Sequence, residues 1–492
     1  MSEIVLTAEH SLMSDYGGSE FVGFAACAPK LIPEWLYKLI ICPPLPQNKG
    51  IVKYAPGGTR KIEAALLERG FDVVVAHPDH LSKVIDDNTK VLGITSNDPL
   101  GLGPASSTFS NLSGMETYSA IFFRKLLRDP VIKENELRII VGGPGAWQLA
   151  DESVRRKLGI DCVVVGEGEK TAVKMFERAI KGEKLPGVVE GEPVPEEEIP
   201  SIKHATVNGI VEIARGCGRG CRFCNPTLLN FRCRPIEKIL EEVRVNLAAG
   251  LDRILLHAED VLRYGAKGVI PDEAKVIKMF EEVKKLTGWG AYISHFSFAS
   301  VMAKPELVTR LRQLMEVPNR KMPCIAGQVG IETGSPRLLE KHMRGKVAPF
   351  KPEDWPELVT EAHKLLQDNR WVPCSTLIVG LPGESPDDVA KTIELVDDLS
   401  GYKSLIVPLF FVPLGRLNQE KSFGVKDMGP EHWRLLAACL EHDLRWIDEL
   451  ARDEFRSLIH KFIFGRVLIG ILKRGVSRYL KSMEQGLNPL QR

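Results

Sequence analysis

The 492-residue sequence lacks a strong excess of charge of either sign, and it lacks a long hydrophobic run. Lysine and arginine number 65 and aspartate and glutamate 64, so the formal net charge is +1. We therefore expect no whole-molecule field that attracts nucleic acid, and no nucleic-acid partner. No apolar run reaches the ~20 residues that span a bilayer. The nearest candidate, residues 462–472, is interrupted by Arg466, so we predict no membrane span.

The N-terminal stretch also lacks a basic region followed by an apolar run, so no signal peptide is predicted. This pattern favours a cytoplasmic protein. Ten cysteines in a reducing compartment indicate reactive or metal-bound thiols more than a disulfide framework.

Residues 1–195 alternate between predicted strands and predicted helices. The strands are apolar without alternation, which is typical of a parallel sheet covered on both faces. We therefore predict an α/β, Rossmann-like domain over 1–195. Helices are predicted at 58–70 and 115–129, and strands at 37–46, 71–78, 90–98, 137–145 and 160–171.

The stretch 187–209 is rich in proline and glutamate, and within it residues 196–208 are the predicted linker. Strand–helix units then resume over 209–425, and such units close into a full or partial βα barrel. Residues 426–492 are predicted to form a C-terminal helical domain. The barrel strands are predicted at 253–260, 291–300, 325–334, 372–383 and 403–413, and the apolar face of the tail at Trp433, Leu436, Leu440, Leu444 and Ile447.

Three cysteines follow a predicted strand end in the sequence ARGCGRGCRFC, at Cys217, Cys221 and Cys224. They lie among glycines and arginines, so they do not suit the small-hydrophobe role that Cys162 fits. A structural zinc site needs four ligands, and here only Cys233 offers a fourth. Three thiols on a glycine-rich loop suit an iron–sulfur cluster that leaves one iron open.

The C-x3-C-x2-C spacing, with the aromatic Phe223 before the last cysteine, resembles the radical S-adenosylmethionine (SAM) superfamily. The resemblance implies a 4Fe–4S cluster on Cys217, Cys221 and Cys224. It also implies a partial (β/α)6 barrel, with the motif after the first barrel strand, and a low-potential electron donor as partner.

The same resemblance implies SAM contacts at the ends of later strands, besides Phe223. HAED at 257–260 places Glu259 on the SAM amino group, and GIETGS at 330–335 places Glu332 on the ribose hydroxyls. VGLPGES and FFVPLG match segments that flank adenine, through Gly380 and Pro413. Each of these residues is also compatible with an ordinary strand end or loop.

The N-terminal domain resembles the cobalamin-binding domain of the class B radical SAM methyltransferases, in APGGTRKIEAAL, NDPLGLGPASST, VGGPGA and VVVGEGEKT. A dinucleotide site is disfavoured, because no G-x-G-x-x-G opens a helix. D-x-H-x-x-G, whose histidine binds cobalt in many corrinoid proteins, is absent, and His77 and His80 do not fit it. The resemblance implies cobalamin at Asn97, Leu102, Gly103, Ser106, Gly142, Gly143, Gly166, Glu167 and Gly168. The missing motif predicts that this cobalamin is base-off, with no histidine beneath the cobalt.

The implied activity is methylation of an unactivated carbon, with SAM as radical source and methylcobalamin as methyl donor. The stretches at 7–29 and 257–262 resemble archaeal members of the family, including those that methylate a glutamine of methyl-coenzyme M reductase. A peptide or protein substrate, with the reductase alpha subunit as candidate, is therefore implied. The alternatives are a cobalamin radical enzyme that cyclises or rearranges a small molecule, a methylthiotransferase and a cobalamin-responsive binding module.

Overall fold

A computed structural model of the chain describes residues 2–18, 23–316, 324–454, 470, 473, 475 and 477–490. Contacts within the chain divide it into two compact units. The N-terminal unit comprises Met1–Glu212 and Arg234–Leu255, and the C-terminal unit comprises Ile213–Cys233 and Leu256–Arg492. The finer domain boundaries drawn from the sequence stay predictions.

Six parallel strands form the sheet of the N-terminal unit, in the spatial order β2-β1-β3-β4-β5-β6. Because β1 has β2 on one side and β3 on the other, the direction of winding reverses between β1 and β3. In open α/β sheets this reversal opens a crevice at the carboxyl ends of the strands. The strands are β1 (Ile4–Ala8), β2 (Val73–Val75), β3 (Val91–Thr95), β4 (Arg138–Gly142), β5 (Cys162–Val165) and β6 (Val188–Glu190).

Helices cover both faces of this sheet because successive strand residues point to opposite sides. Ile4 and Leu6 pack in one core with Phe176, whereas Val5 packs in the other with Phe123. Full burial of each large apolar side chain contributes roughly 1.5–3 kcal/mol. The helices are α1 (Glu34–Ile40), α2 (Gly57–Glu68), α3 (Pro104–Ser113), α4 (Tyr118–Leu127), α5 (Pro130–Glu134), α6 (Glu152–Leu158), α7 (Thr171–Ile180) and α8 (Ile236–Ala248).

Three assignments made from the sequence are wrong. The predicted strand at 37–46 begins inside helix α1, where Tyr37 stacks on Tyr118 with ring centroids 3.6 Å apart. The central strand β1 was not predicted, and β6 lies within the stretch 187–209 that reads as irregular. A short apolar run fits a buried strand and a buried helix equally well, so periodicity alone cannot separate them.

The C-terminal unit alternates strands with helices. Strands β11, β12 and β13 form a parallel sheet, and a parallel bridge from His295 to Gln328 joins the segment after β10 to β11. The strands are β7 (Ala214–Arg215), β8 (Arg232–Cys233), β9 (Leu255–His257), β10 (Tyr292–Ile293), β11 (Ile325–Glu332), β12 (Trp371–Val379) and β13 (Leu405–Phe410). The helices are α9 (Glu273–Thr287), α10 (Phe298–Ala303), α11 (Pro305–Met315), α12 (Pro336–His342), α13 (Arg344–Val347), α14 (Trp355–Asp368), α15 (Pro386–Asp398) and α16 (Pro430–Glu454).

Helix α16 packs against α15 and β13, so this part of the predicted helical tail lies on the strand–helix core. Trp433 and Leu436 are buried there, as the periodicity predicts. The apolar run 462–472, apart from position 470, lies outside the described residues. Within the described part of the chain, no helix combines the length and apolar character that crossing a membrane requires.

Candidate functional site

The cysteine loop after β7 has a backbone that only glycine fits at Gly216. Its φ is +72°, and a side-chain Cβ there would lie 2.2 Å from the carbonyl oxygen of Asn230. The N–H of Cys217 donates to the carbonyl of Leu228 at 3.0 Å, which holds the loop in this path. The glycines therefore bring the loop close to its own backbone and turn the cysteines out of the strand direction.

The three thiols lie in partly buried surroundings. Cys221 is buried, and Cys217 and Cys224 are half-buried. The Cys224 thiol hydrogen-bonds Cys221, which lowers the pKa of Cys221 and raises the pKa of Cys224. Burial raises the pKa of Cys217. Such thiols bind a metal as thiolates, and binding releases their protons.

Arg219, between the first two cysteines, anchors the loop to two other parts of the C-terminal unit. Its guanidinium donates to three backbone carbonyls of segment 345–348 at 2.8–3.2 Å, and it lies 3.5 Å from Asp260 Oδ2. Ser297 and Ser300 each donate to the same carboxylate at 2.7 Å. This buried network fixes the loop, and the sequence pattern did not single out Arg219.

The segment FFVPLG, which follows β13, lies against the cysteine loop. The N–H of Arg416 donates to the carbonyl of Arg222 at 2.8 Å. A Cβ on Gly415, whose φ is +55°, would lie 2.1 Å from the carbonyl oxygen of Cys224. The structure thus brings half-buried Pro413 into the neighbourhood of the loop, although its adenine contact stays a prediction.

The two acids of HAED have different surroundings. Asp260 is 1% exposed and its Oδ2 is committed to Arg219 and two serines. Glu259 is half-buried. Burial is the largest cause of the raised pKa of Cys217, and the negative charge of Glu259 raises that pKa further. Glu259 is therefore the acid of this pair whose charge acts on Cys217, and its contact with SAM stays a prediction.

Glu332 ends β11 with φ +67°, a backbone conformation that residues other than glycine rarely adopt. Its Oε1 lies 2.9 Å from Nζ of Lys346, and both groups are largely buried. Burial by itself would lower the pKa of Lys346, but the Glu332 carboxylate and the Cys221 thiol outweigh it and raise the pKa. Strained residues cluster at functional sites. Lys346 thus adds a buried cation to this site that the sequence did not reveal.

Gly380 has a packing reason to be glycine. Its φ is +84°, and a Cβ there would lie 2.0 Å from the ring of Phe423. Its N–H donates to Glu384 Oε1 at 2.9 Å. Phe223 is half-buried on the cysteine loop. SAM contacts at Gly380 and Phe223 stay predictions.

In the N-terminal unit, the residues predicted to bind cobalamin gather at one edge of the sheet. They lie at or after the carboxyl ends of three neighbouring strands, β3, β4 and β5. Gly143 has φ +100°, and a Cβ there would lie 2.6 Å from the carbonyl oxygen of Ser96. The N–H of Gly103 donates to Asp98 Oδ1 at 2.9 Å, and Leu102 is 47% exposed. The edge set is completed by Asn97, Ser106, Gly142, Gly166, Glu167 and Gly168.

A second group near this edge offers metal-ligand side chains but is already hydrogen-bonded. His10, His77 and Asp79 each place one ligand atom within 4.8 Å of the others. Nδ1 of His77 accepts from the Asp79 N–H at 3.1 Å, so the proton of the neutral ring sits on Nε2, where a metal would bind. Lys38 Nζ lies 2.6 Å from Asp79 Oδ2. His10 Nδ1 lies 3.0 Å from the same Asp79 oxygen, so the group is a hydrogen-bonded cluster that joins the segment after β1 to the turn after β2.

Comparison with known families places the cysteine loop in a segment that matches one family model. Residues 211–396 match the model of the Radical SAM superfamily, so this part of the chain is a radical SAM domain. A tRNA-2-methylthio-N(6)-dimethylallyladenosine synthase of Thermotoga petrophila is 28% identical over 270 residues, covering 53% of this chain and 56% of that enzyme. The chain thus spans little more than half the length of that relative. An uncharacterised protein of Methanopyrus kandleri is 25% identical over 371 residues, covering 64% of this chain and 68% of that protein.

Solved structures extend the likeness to most of the chain. The radical SAM methyltransferase TsrM of Kitasatospora setae, with cobalamin and a [4Fe-4S] cluster bound, superposes with a TM-score of 0.56 at 13% identity. The match covers 85% of this chain and 74% of TsrM. TsrM with tryptophan and a SAM analogue gives a TM-score of 0.55. At this identity the likeness shows the fold, and TsrM holds the cofactor set that the sequence predicts here.

Proposed function

We propose that this chain is a cobalamin-dependent radical SAM methyltransferase that methylates an unactivated carbon. The observation that carries the proposal is the constellation in the C-terminal unit. It consists of the three-cysteine loop, Glu259 and the Lys346–Glu332 pair. These groups lie close enough that their charges shift the pKa values of Cys217, Cys221 and Lys346. The glycine-lined edge of the N-terminal sheet supports the cobalamin part of the proposal.

The residues present fit a 4Fe–4S cluster with one open iron. Cys217, Cys221 and Cys224 supply three thiolates, and Arg219 fixes the loop that carries them. Glycines in the loop, with positive φ at Gly216, leave room for the cluster and offer N–H groups to its sulfurs. When bound, the cluster and SAM supply an adenosyl radical, and cobalamin supplies the methyl group.

The chain's own residues bind and orient SAM. Glu259 accepts hydrogen bonds from the SAM amino group, and Lys346 attracts the SAM carboxylate. Glu332, held by Lys346, accepts from the ribose hydroxyls. The strained backbone at Glu332 keeps the carboxylate in one position, so no reorganisation is needed when SAM binds.

A methylthiotransferase, the activity of the Thermotoga relative, is the second candidate. It requires a second three-cysteine site in the N-terminal unit. Cys162 is buried in the core under the sheet, whereas Cys42 is buried in a separate cluster with Tyr37 and Tyr118. These two thiols lie in different apolar clusters and cannot share a metal site with Cys27 without unfolding one of them. This placement favours methyl transfer to carbon.

For the substrate, we propose a glutamine carbon in the alpha subunit of methyl-coenzyme M reductase. The support is the resemblance of the sequence stretches 7–29 and 257–262 to archaeal enzymes of that kind. A small molecule is the other candidate substrate, because TsrM was solved with tryptophan.

The test is anaerobic reconstitution of the full chain with iron, sulfide, cobalamin, SAM and a low-potential reductant. A reductase peptide containing the glutamine is then offered, and the product masses are measured. A gain of one methyl group at carbon supports the whole proposal. SAM cleavage with an unmodified peptide would support the radical SAM activity but reject the peptide as the substrate. A gain of a methylthio group, or a rearranged product without added mass, assigns one of the alternatives instead.

A further inference from the structure

Segment 213–233, which carries the three cluster cysteines and is called the cysteine segment below, has both of its ends on the N-terminal unit. The segment itself belongs to the C-terminal unit, whereas Glu212 before it, Arg234 after it and helix α8 belong to the N-terminal unit. These flanking residues nevertheless lie within residues 211–396, which match the radical SAM model. The unit that holds the N-terminal sheet therefore also holds both attachment points of the cysteine segment.

One buried carboxylate contacts residues at both attachment points. Glu242 lies on α8 and is 1% exposed. Its Oε1 accepts hydrogen bonds from Arg234 Nη1 at 2.6 Å and from Lys61 Nζ. Arg234 Nη1 also donates to the carbonyl of Glu212 at 3.3 Å, and Lys61 Nζ lies 4.0 Å from Glu212 Oε2. Lys61 lies on α2, which packs against the N-terminal sheet, so this lysine and Glu242 together hold both ends of the segment.

The predicted linker takes part in the same network. Lys61 Nζ donates to the carbonyl of Pro200 at 2.9 Å, and the Ile202 N–H donates to Glu242 Oε1 at 3.3 Å. The Thr206 N–H donates to a side-chain amide oxygen on α8 at 2.9 Å. The chain that enters the radical SAM domain is therefore hydrogen-bonded to α2 and to α8 along its length.

This network and the contacts inside the cysteine loop have separate tasks. The shape of the loop depends on Gly216 and on Arg219, whose hydrogen bonds lie in the C-terminal unit. Lys61 and Glu242 are 181 residues apart in the sequence and meet only in the folded chain. A buried ion pair that loses one partner leaves an uncompensated charge, so this pair forms only when α2 and α8 stand in one relative position.

We propose that Lys61 and Glu242 are positioning residues that fix both ends of the cysteine segment on the unit predicted to hold cobalamin. Transfer of a methyl group between SAM and cobalt then depends on this pair, whereas cluster assembly and SAM cleavage do not. The part that concerns cobalt rests on the proposed function. Neither residue is among those predicted from the sequence.

The first experiment measures hydrogen–deuterium exchange of the full-length chain without cofactors. In Lys61→Met, the backbone amides of residues 210–216 and 232–236 should exchange at least about tenfold faster than in wild type, because the ends of the segment open locally. Arg234→Lys keeps the charge but loses the planar fork that reaches the carboxylate and the carbonyls together. It should change the same amides, and it tests the proposal if Lys61→Met does not fold.

The matched control is Glu63→Gln. Glu63 lies on the same helix as Lys61, is 2% exposed and forms a buried ion pair with Arg60 at 2.9 Å. This variant should lower the melting temperature without faster exchange at the ends of the cysteine segment. Wild-type exchange at both ends in Lys61→Met and Arg234→Lys, or equally fast exchange there in the control, would overturn the proposal.

The second experiment uses the chain reconstituted with iron, sulfide and cobalamin, with titanium(III) citrate as the source of electrons. Cobalt reduced by two electrons from Co(III) takes the SAM methyl group, so that a cobalt–carbon bond forms as the sulfur–carbon bond breaks and S-adenosylhomocysteine is released. Reductive cleavage of SAM releases 5′-deoxyadenosine instead. Both products are measured without any substrate.

Lys61→Met should keep the wild-type iron content and yield of 5′-deoxyadenosine. Its yield of S-adenosylhomocysteine should fall about ten- to a hundredfold, because a misplacement of about 1 Å can cost a hundredfold in rate. Glu63→Gln should keep the wild-type ratio of the two products, and the wild-type ratio in Lys61→Met would contradict the proposal. If wild type releases no S-adenosylhomocysteine, the cobalamin part of the proposed function fails, and the exchange experiment alone decides whether the pair fixes the segment.

Discussion

Lys346 and Glu332 form a largely buried ion pair, with Nζ of the lysine 2.9 Å from Oε1 of the glutamate. The pair joins helix α13 to the end of β11, where the backbone of Glu332 has φ +67°. The negative charge of Cys221 in its thiolate form also raises the pKa of Lys346. One ammonium group thereby connects the strained strand end with the cysteine loop.

Replacing Lys346 with methionine should weaken SAM binding about tenfold, because the Glu332 carboxylate loses its only buried cation among the described residues. It should also lower the melting temperature of the protein. Adding Glu332→Gln to this variant should recover part of the lost stability, since the stranded charge is removed. Lys341→Met, on the exposed side of α12, is the control. Unchanged SAM affinity in Lys346→Met would contradict the assigned role.

The cluster prediction concerns iron content. Alanine at Cys217, Cys221 or Cys224 should remove the iron and SAM cleavage, whereas wild type should hold about four irons per chain. Serine at Cys233, whose sulfur accepts from the Gly265 N–H, should leave the iron in place. Alanine at Cys27 or Cys42 should also leave it. About eight irons per chain in wild type would show a second cluster and refute this prediction.

Glu259 and Asp260 are neighbours with separable roles. Glu259→Gln should lower SAM affinity by about one to two powers of ten, since a charge-assisted hydrogen bond contributes about 1.5–3 kcal/mol. Its melting temperature and iron content should match wild type. Asp260→Asn should instead lower the melting temperature, because Arg219 and two serines lose a buried carboxylate. Isothermal titration with SAM and thermal melts distinguish the two, and equal behaviour of both variants would undo the distinction.

Glu9 should make stability depend on pH. Burial raises the pKa of Glu9 in the folded chain to about 8, from its ordinary value of 4.5. The folded chain therefore holds this proton more tightly, and the stabilisation is complete below about pH 4.5 and lost as the pH rises towards 8. Glu9→Gln cannot titrate, so its stability relative to wild type should rise over this range, by at most about 1.4 kcal/mol per pH unit. If the melting temperatures of the variant and wild type changed in parallel between pH 5 and 8, Glu9 would already be ionised over this range, and the prediction would be wrong.

Much of the fold follows from local patterns. Helix α2 and strands β3, β4, β11 and β12 lie where runs of apolar residues and terminal glycines predict them. The error at α1 and the missed β1 share one physical cause. A five-residue apolar segment becomes a strand or a helix according to the partners it finds, and those partners are distant in sequence.

The sequence by itself determined the cysteine loop, because thiol spacing and glycines are local features, and it determined the acids that end β9 and β11. Tertiary structure alone decided which groups join them. Lys346 follows Glu332 by a helix and a turn, and nothing in its own neighbourhood marks it as buried. Glu9 meets Ser96 only because β1 and β3 pair across more than eighty residues. Burial and charge pairing arise from such long-range contacts, so the folded chain, and not its local pattern, selected these residues.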